Sequence, residues 1–237
     1  KINVQPGSWA HQNEWFGPVL GIMNAKDLEQ AVDWQNSVPY GLTAGIQSLN
    51  QKECEYWIEN VEAGNLYVNR TTTGAVVNRH PFGGWKKSSF GPTAKTGGSH
   101  YVSMFREYQP VENIESLKYE FKLTWEEIGN KSLKLGDTES ERNFKRYVPY
   151  KNILLVTEED FSKDLESFIF WISELLNINI KIISEDTLLS PDSNLDPSLF
   201  EKIRWIATSQ EMPTQIFNSG ATVDAVSYTH LTLPTIR

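Results

Sequence analysis

Three features of the sequence predict an α/β fold made of two successive units. Apolar runs of strand length alternate with helix-period segments, the links between them are short, and the composition changes midway. Strand–helix–strand alternation with short links is the pattern of a parallel sheet covered by helices. The compositional change is sharp: residues 1–110 carry 9 Lys+Arg and 9 Asp+Glu, so the whole net charge of -8 falls beyond them. Twelve of the 15 glycines lie in that first part.

Gly17–Ala25, "GPVLGIMNA", is an apolar run bounded by glycine and polar residues and predicts a buried strand. "KDLEQAVDWQNSV" follows with Leu28, Ala31, Val32 and Val38 at roughly helical spacing, and Pro39 ends it. "GLTAGIQS" is the next strand. Asn50 and Glu53 then form an Asn-x-x-Glu capping box for a helix reaching about Glu62, and Gly64 stands where a C-cap glycine belongs. "NLYVN" gives a further strand. "YVSMFREYQ", 101–109, predicts an exposed strand in need of a pairing edge. From Gln109 to about Glu141 the pattern weakens into a charged connector. "KNILLVT" and "INIKIIS" are strands flanking a helix over Asp160–Leu176, whose apolar face is Phe161, Leu165, Phe168, Ile169, Ile172 and Leu175; "DPSLFEKIRWIATS" is a helix running into a strand. This second βαβ-like unit starts near residue 145.

An acidic chain lacks the clustered cations that phosphate neutralisation requires, which argues against a nucleic-acid partner. No apolar run reaches the roughly 18 residues of a membrane span, and no signal peptide opens the sequence. The single cysteine, Cys54, cannot form an internal disulfide, which favours a reducing, cytoplasmic setting. His11, His80, His100 and His230 lack ligand-like spacing, so no metal site is expected.

His80–Gly98, "HPFGGWKKSSFGPTAKTGG", holds five glycines and three lysines. Neither a Walker loop nor a dinucleotide fingerprint fits its spacing. Glycines here let backbone N–H groups approach a ligand closely, so the stretch is either a substrate-anchoring element or a mobile loop with solvated lysines at Lys86, Lys87 and Lys95. "TTTGAVV", Thr71–Val77, offers a second such turn in which Gly74 and Ala75 present adjacent amides. Phe82 can stand as an aromatic wall beside an aliphatic chain.

"EWFGPVLGIM", "YGLTAGIQS" and "EAGNLYVNRTTTGAVVNRHPFGGWKKSSFGPTAKTGG", in this order, resemble the aldehyde dehydrogenase superfamily. Within it they look most similar to the L-glutamate γ-semialdehyde (pyrroline-5-carboxylate) dehydrogenases, as found in bifunctional proline utilisation A proteins. The resemblance implies the C-terminal, catalytic half of an aldehyde dehydrogenase fold over 1–108, with 101–109 as an oligomerisation strand and a homo-oligomeric parent. A connector over 109–144 and a partial Rossmann-like α/β domain over 145–225 follow. It implies NAD as cofactor, with FAD only if the parent carries a proline dehydrogenase domain, and L-glutamate γ-semialdehyde as substrate. Glu14 matches the glutamate that accepts hydrogen bonds from the nicotinamide ribose hydroxyls, and Phe16 the aromatic beside the nicotinamide. Gly74 and Ala75 match the amides that hold the substrate's α-carboxylate, and Phe82 the aromatic flanking its chain.

In the family a cysteine thiolate attacks the aldehyde and a glutamate acts as general base, both ahead of the Glu-x-Phe motif. Cys54 lacks that context and reads as structural. The expectation is therefore a fragment that is inactive alone. "ESERNFKRYVPYKNILLV" and "EKIRWIA" resemble the C-terminal domain of long proline utilisation A proteins, which leaves a lid or interaction module as an alternative role; another aldehyde dehydrogenase with a different substrate is the other. The last twelve residues, 226–237, resemble a translated sequencing-library adapter and are set apart from the fold.

Overall fold

The computed structural model describes residues 3–89, 94–105, 113–129, 131–157, 161–190, 192–206, 216 and 221–226. Two compact units result: 1–75 with 82–89, and 76–81 with 90–237.

In the first unit a short helix α1 (Trp9–Gln12) precedes the extended segment 14–25. That segment is not the expected buried strand. Its backbone bonds include Val4 N–H to the Ile22 carbonyl at 2.9 Å and a local Val19 N–H to Gly17 carbonyl turn at 2.8 Å rather than a strand ladder, and Val19, Leu20 and Ile22 are exposed. An apolar run becomes a sheet strand only beside a pairing neighbour, and none flanks it among the described residues. Helix α2 (Leu28–Asn36) is capped by Asp27, whose carboxylate accepts from the Gln30 N–H at 2.8 Å. Strands β1 (Tyr40–Gly41) and β2 (Thr43–Ile46) follow, then helix α3 (Gln51–Asn60), then β3 (Asn65–Val68), which pairs parallel with β2. A parallel pair bridged by a helix is the predicted βαβ unit. Its core is Val32, Ala44, Trp57, Val61 and Ala63.

The Asn50 cap accepts from the Lys52 N–H, but the capping box closes indirectly. Asn50 N–H donates to the Ser48 hydroxyl, which donates to Glu53 at 2.6 Å. Gly64 is no C-cap either; Val61 caps α3 in extended conformation. Gly64 exists for close approach instead, because a Cβ there would sit 1.9 Å from the Gly83 carbonyl oxygen. Strand β4 (Trp85–Lys86) completes the unit, antiparallel to β1.

The second unit contains a tight hairpin at Val76–His80, in which the two residues exchange backbone bonds. Over 101–109 the predicted strand is corrected. Tyr101–Phe105 forms a 3-10 turn started by Tyr101 N–H on the Gly98 carbonyl at 3.1 Å, and 106–109 lie outside the described residues. With no strand edge alongside it among the described residues, local i→i+3 bonding decides the conformation.

The span read as a connector holds a 15-residue helix, α4 (Ile114–Ile128), and a hairpin of β5 (Leu133–Asp137) with β6 (Arg142–Lys145). Asn113 caps α4 by accepting from the N–H groups of Glu115 and Ser116. Trp125, with Ile114, Leu117 and Phe121, packs onto Phe168, Ile172 and Leu176 of helix α5 (Lys163–Leu176). Burying each such side chain contributes about 1.5–3 kcal/mol, enough to hold a helix whose charged surface disguised it.

Strands β7 (Asn152–Thr157), β8 (Asn179–Ser184), β9 (Lys202–Ile206) and β10 (Thr222–Val226) form one all-parallel sheet in the order β10-β9-β7-β8. Ile153 to Val156 of β7 are all buried, with Leu154 and Val156 in one cluster and Ile153 and Leu155 in another. A central parallel strand covered on both faces reads as such a continuous apolar run. Ser162 caps α5, and Asn177 ends it in left-handed conformation at φ 51, as asparagine tolerates. Helix α6 (Glu185–Leu189) and a 3-10 turn at Pro197–Leu199 link β8 to β9. Val226, set apart from the fold in the sequence reading, closes β10; 227–237 lie outside the described residues. Among the described residues no helix is long and apolar enough to cross a membrane.

Candidate functional site

Every predicted site residue lies in the first unit. Glu14 and Phe16 stand on the extended segment, both exposed, Phe16 at 95%. Neither side chain makes a hydrogen bond, ion pair or ring contact among the described residues. An acceptor carboxylate beside an open aromatic face fits a vicinal diol and a flat heteroaromatic ring.

That turn is built from beneath by β3. Tyr67, 1% exposed, directs its hydroxyl at the Gly74 carbonyl over a long 3.5 Å. The Arg70 guanidinium lies over the Tyr67 ring, 5.4 Å from its centroid, and donates to the Thr73 carbonyl at 3.2 Å. Gly74 has φ +95, a conformation open to glycine and strained for other residues. A trans peptide plane sets C=O and N–H in opposite directions. With the Thr73 and Gly74 carbonyls drawn toward Arg70 and Tyr67, the N–H groups of Gly74 and Ala75 therefore point the other way, from exposed backbone.

Phe82, half-buried, opens a tightly bonded strap. Gly83 N–H donates to the buried Asn65 side chain at 3.0 Å, Gly64 abuts Gly83 and Gly84, and Lys87 N–H reaches the Pro39 carbonyl at 3.0 Å. Lys86, read as solvated, is the correction here. Its ammonium bonds the carbonyls of Asn36 and Val38, at the C-terminal end of α2, and pairs with Glu62 at 2.7 Å. Its side chain is only 17% exposed. A cation suits the negative end of a helix dipole, and nothing in spacing alone distinguishes it from neighbouring Lys87. The glycine-rich stretch is thus fixed over 82–89; 90–93 lie outside the described residues.

Lys95, in the second unit, is not plain solvated charge either. Burial first, then the Lys145 ammonium, lowers it from 10.5 to about 8. Burial and the same lysine lower His100 as well. A lysine with a folded value below its unfolded one penalises folding while protonated; the penalty is full below about pH 8 and fades as pH rises toward 10.5. Lys95→Met is expected to be more stable than the parent chain at about pH 7, with the advantage shrinking by about pH 9.5. Urea midpoints at both pH values check this, and a difference independent of pH contradicts it. Cys54, half-buried on α3, donates its thiol to the Ser48 carbonyl at 3.6 Å. Among the described residues no three metal-ligating side chains gather.

Residues 1–111, just under half of the chain, match the model of the Aldehyde dehydrogenase family. The chain is similar to the 1-pyrroline-5-carboxylate dehydrogenase of Staphylococcus saprophyticus subsp. saprophyticus, 43% identical over 115 residues, which are 47% of this chain and 21% of that protein. The enzyme of the same name from Staphylococcus aureus (strain JH1) is 42% identical over 106 residues, covering 44% and 20%. The chain thus spans about a fifth of the curated relatives it matches. Among solved structures, Proline Utilization A (PutA) from Corynebacterium freiburgense superposes with a TM-score of 0.72 at 33% identity, over 95% of this chain and 25% of that one. The fold is α/β, of the aldehyde dehydrogenase kind in the family segment, and both units have counterparts within that one neighbour.

Proposed function

We propose that this chain is part of an NAD-dependent dehydrogenase that oxidises L-glutamate γ-semialdehyde to L-glutamate in proline catabolism. The observation that carries the reading is the Gly74–Ala75 turn, whose two adjacent amides are aimed outward by the Tyr67 and Arg70 contacts. Two adjacent N–H donors are a fitting receptor for a carboxylate. The 43% identity to a 1-pyrroline-5-carboxylate dehydrogenase across the same segment supports it.

In this reading Gly74 and Ala75 hold the α-carboxylate, Phe82 borders the aliphatic chain, and Glu14 and Phe16 receive the ribose diol and nicotinamide of the cofactor. Bound there, NAD would supply the hydride acceptor for the oxidation, with water providing the second carboxylate oxygen and its protons released to solvent. Cys54 is not the nucleophile, because its thiol is directed into the backbone of its own unit. The thiolate and general base belong to other parts of the dehydrogenase, and the chain alone is inactive.

Gly74→Leu in the complete enzyme tests this. A side chain at φ +95 is strained and forces the turn to rearrange, although the Cβ position itself meets Arg70 Nη2 only in ordinary contact at 3.6 Å. We expect KM for the semialdehyde to rise about tenfold or more, one to two lost hydrogen bonds to a charged group, with propionaldehyde nearly unaffected. Equal effects on both aldehydes refute the substrate assignment.

A further inference from the structure

Beyond these contacts, and resting on the function proposed above, we infer that Arg70 is the positioning residue that sets the preference for carboxylate-bearing aldehydes. No motif singled it out, and its role is visible only in three dimensions.

Arg70 is fixed at its backbone from two sides. Its carbonyl accepts from Gln47 Nε2 at 3.0 Å. Asn69, at φ +55, exchanges two hydrogen bonds with the backbone of Ser48, both at 2.9 Å. The strand therefore ends in a pinned left-handed bend that sends the Arg70 side chain back across the ring of Tyr67. A planar guanidinium held over a buried aromatic ring loses little freedom when it bonds, and a lysine ammonium does not reproduce this geometry. From that platform Nη2 holds the Thr73 carbonyl at 3.2 Å and stands 3.6 Å from the Cβ position of Gly74.

Two consequences follow for an anionic substrate group. The Thr73 peptide plane is locked, so the Gly74 N–H keeps its outward direction when no ligand is present. A permanent positive charge also stands behind the turn. A neutral aldehyde lacking the carboxylate gains from neither. Arg70 thus acts through the amides, and its effect appears in binding of the charged substrate rather than in the chemical step.

The experiment uses the complete dehydrogenase carrying this segment, with Arg70→Gln and Arg70→Lys, on L-glutamate γ-semialdehyde and on propionaldehyde. For Arg70→Gln, KM for the semialdehyde is expected to rise about tenfold with kcat and propionaldehyde kinetics nearly unchanged, and added guanidinium chloride to restore part of the lost affinity. Arg70→Lys, which keeps the charge without the fork, should fall between. Loss of both activities in the glutamine variant makes the lysine variant decisive: a KM rise confined to the semialdehyde supports the role, and equal losses on both aldehydes overturn it. A preference that survives Arg70→Gln overturns the role of Arg70 alone. An unsubstituted enzyme that does not prefer the semialdehyde overturns the substrate reading and this inference together.

Discussion

Gly64→Val is expected to destabilise the first unit by about 3 kcal/mol, the upper end of the overpacking range, because every atom in its way is backbone. The Cβ position lies 1.9 Å from the Gly83 carbonyl oxygen, 2.8 Å from the Gly83 carbonyl carbon and 2.8 Å from the Gly84 Cα. No rotamer change relieves such a clash. The strap must move, and with it the Gly83 N–H held by Asn65. Gly17→Ala is the control, since nothing lies within 4 Å of that Cβ position and its φ is ordinary. Urea unfolding followed by tryptophan fluorescence separates them: a lowered midpoint for Gly64→Val only is expected, and an unshifted one contradicts the close approach.

Lys86→Met is the second large effect, expected at about 2–3 kcal/mol. The ammonium satisfies two carbonyls at the end of α2 as well as Glu62, and methionine leaves those acceptors without their donor. Glu62 is 43% exposed, so the ion pair itself contributes only about 0–1 kcal/mol after solvent screening. Glu62→Gln should therefore cost much less than Lys86→Met. Equal losses in the two variants, measured by the same urea titration, would show that the ion pair rather than the carbonyl bonding holds the strap.

The parallel βαβ arrangement of the first unit and strands β7, β8 and β9 of the second were legible because each announces itself locally, whereas the β5–β6 hairpin and β10 were not. Asp27, Asn50 and Ser162 cap where polar residues precede apolar periodicity, and β7 is a bare apolar run. Helix α4 was missed although its signals were present: Asn113 before it, Leu117, Phe121 and Trp125 along one face, and Gly129 after it. Its charged residues outnumbered that stripe to the eye. The segments 17–25 and 101–105 failed for a different reason, since a strand depends on a neighbour that the segment itself does not encode.

At the site, resemblance pointed to Gly74 and Ala75, but not to what aims them. Tyr67 and Arg70 act through a buried ring and a peptide plane, which no spacing rule reports. Lys86 was indistinguishable from Lys87 until α2 was placed beside it.

The central claim is that two adjacent amides form the carboxylate receptor. A crystal structure of the complete dehydrogenase with its product, L-glutamate, tests it most directly. The account predicts the α-carboxylate within hydrogen-bond distance of the Gly74 and Ala75 nitrogens, with the Arg70 guanidinium behind the turn. An α-carboxylate bound elsewhere, with those two nitrogens facing solvent, contradicts it.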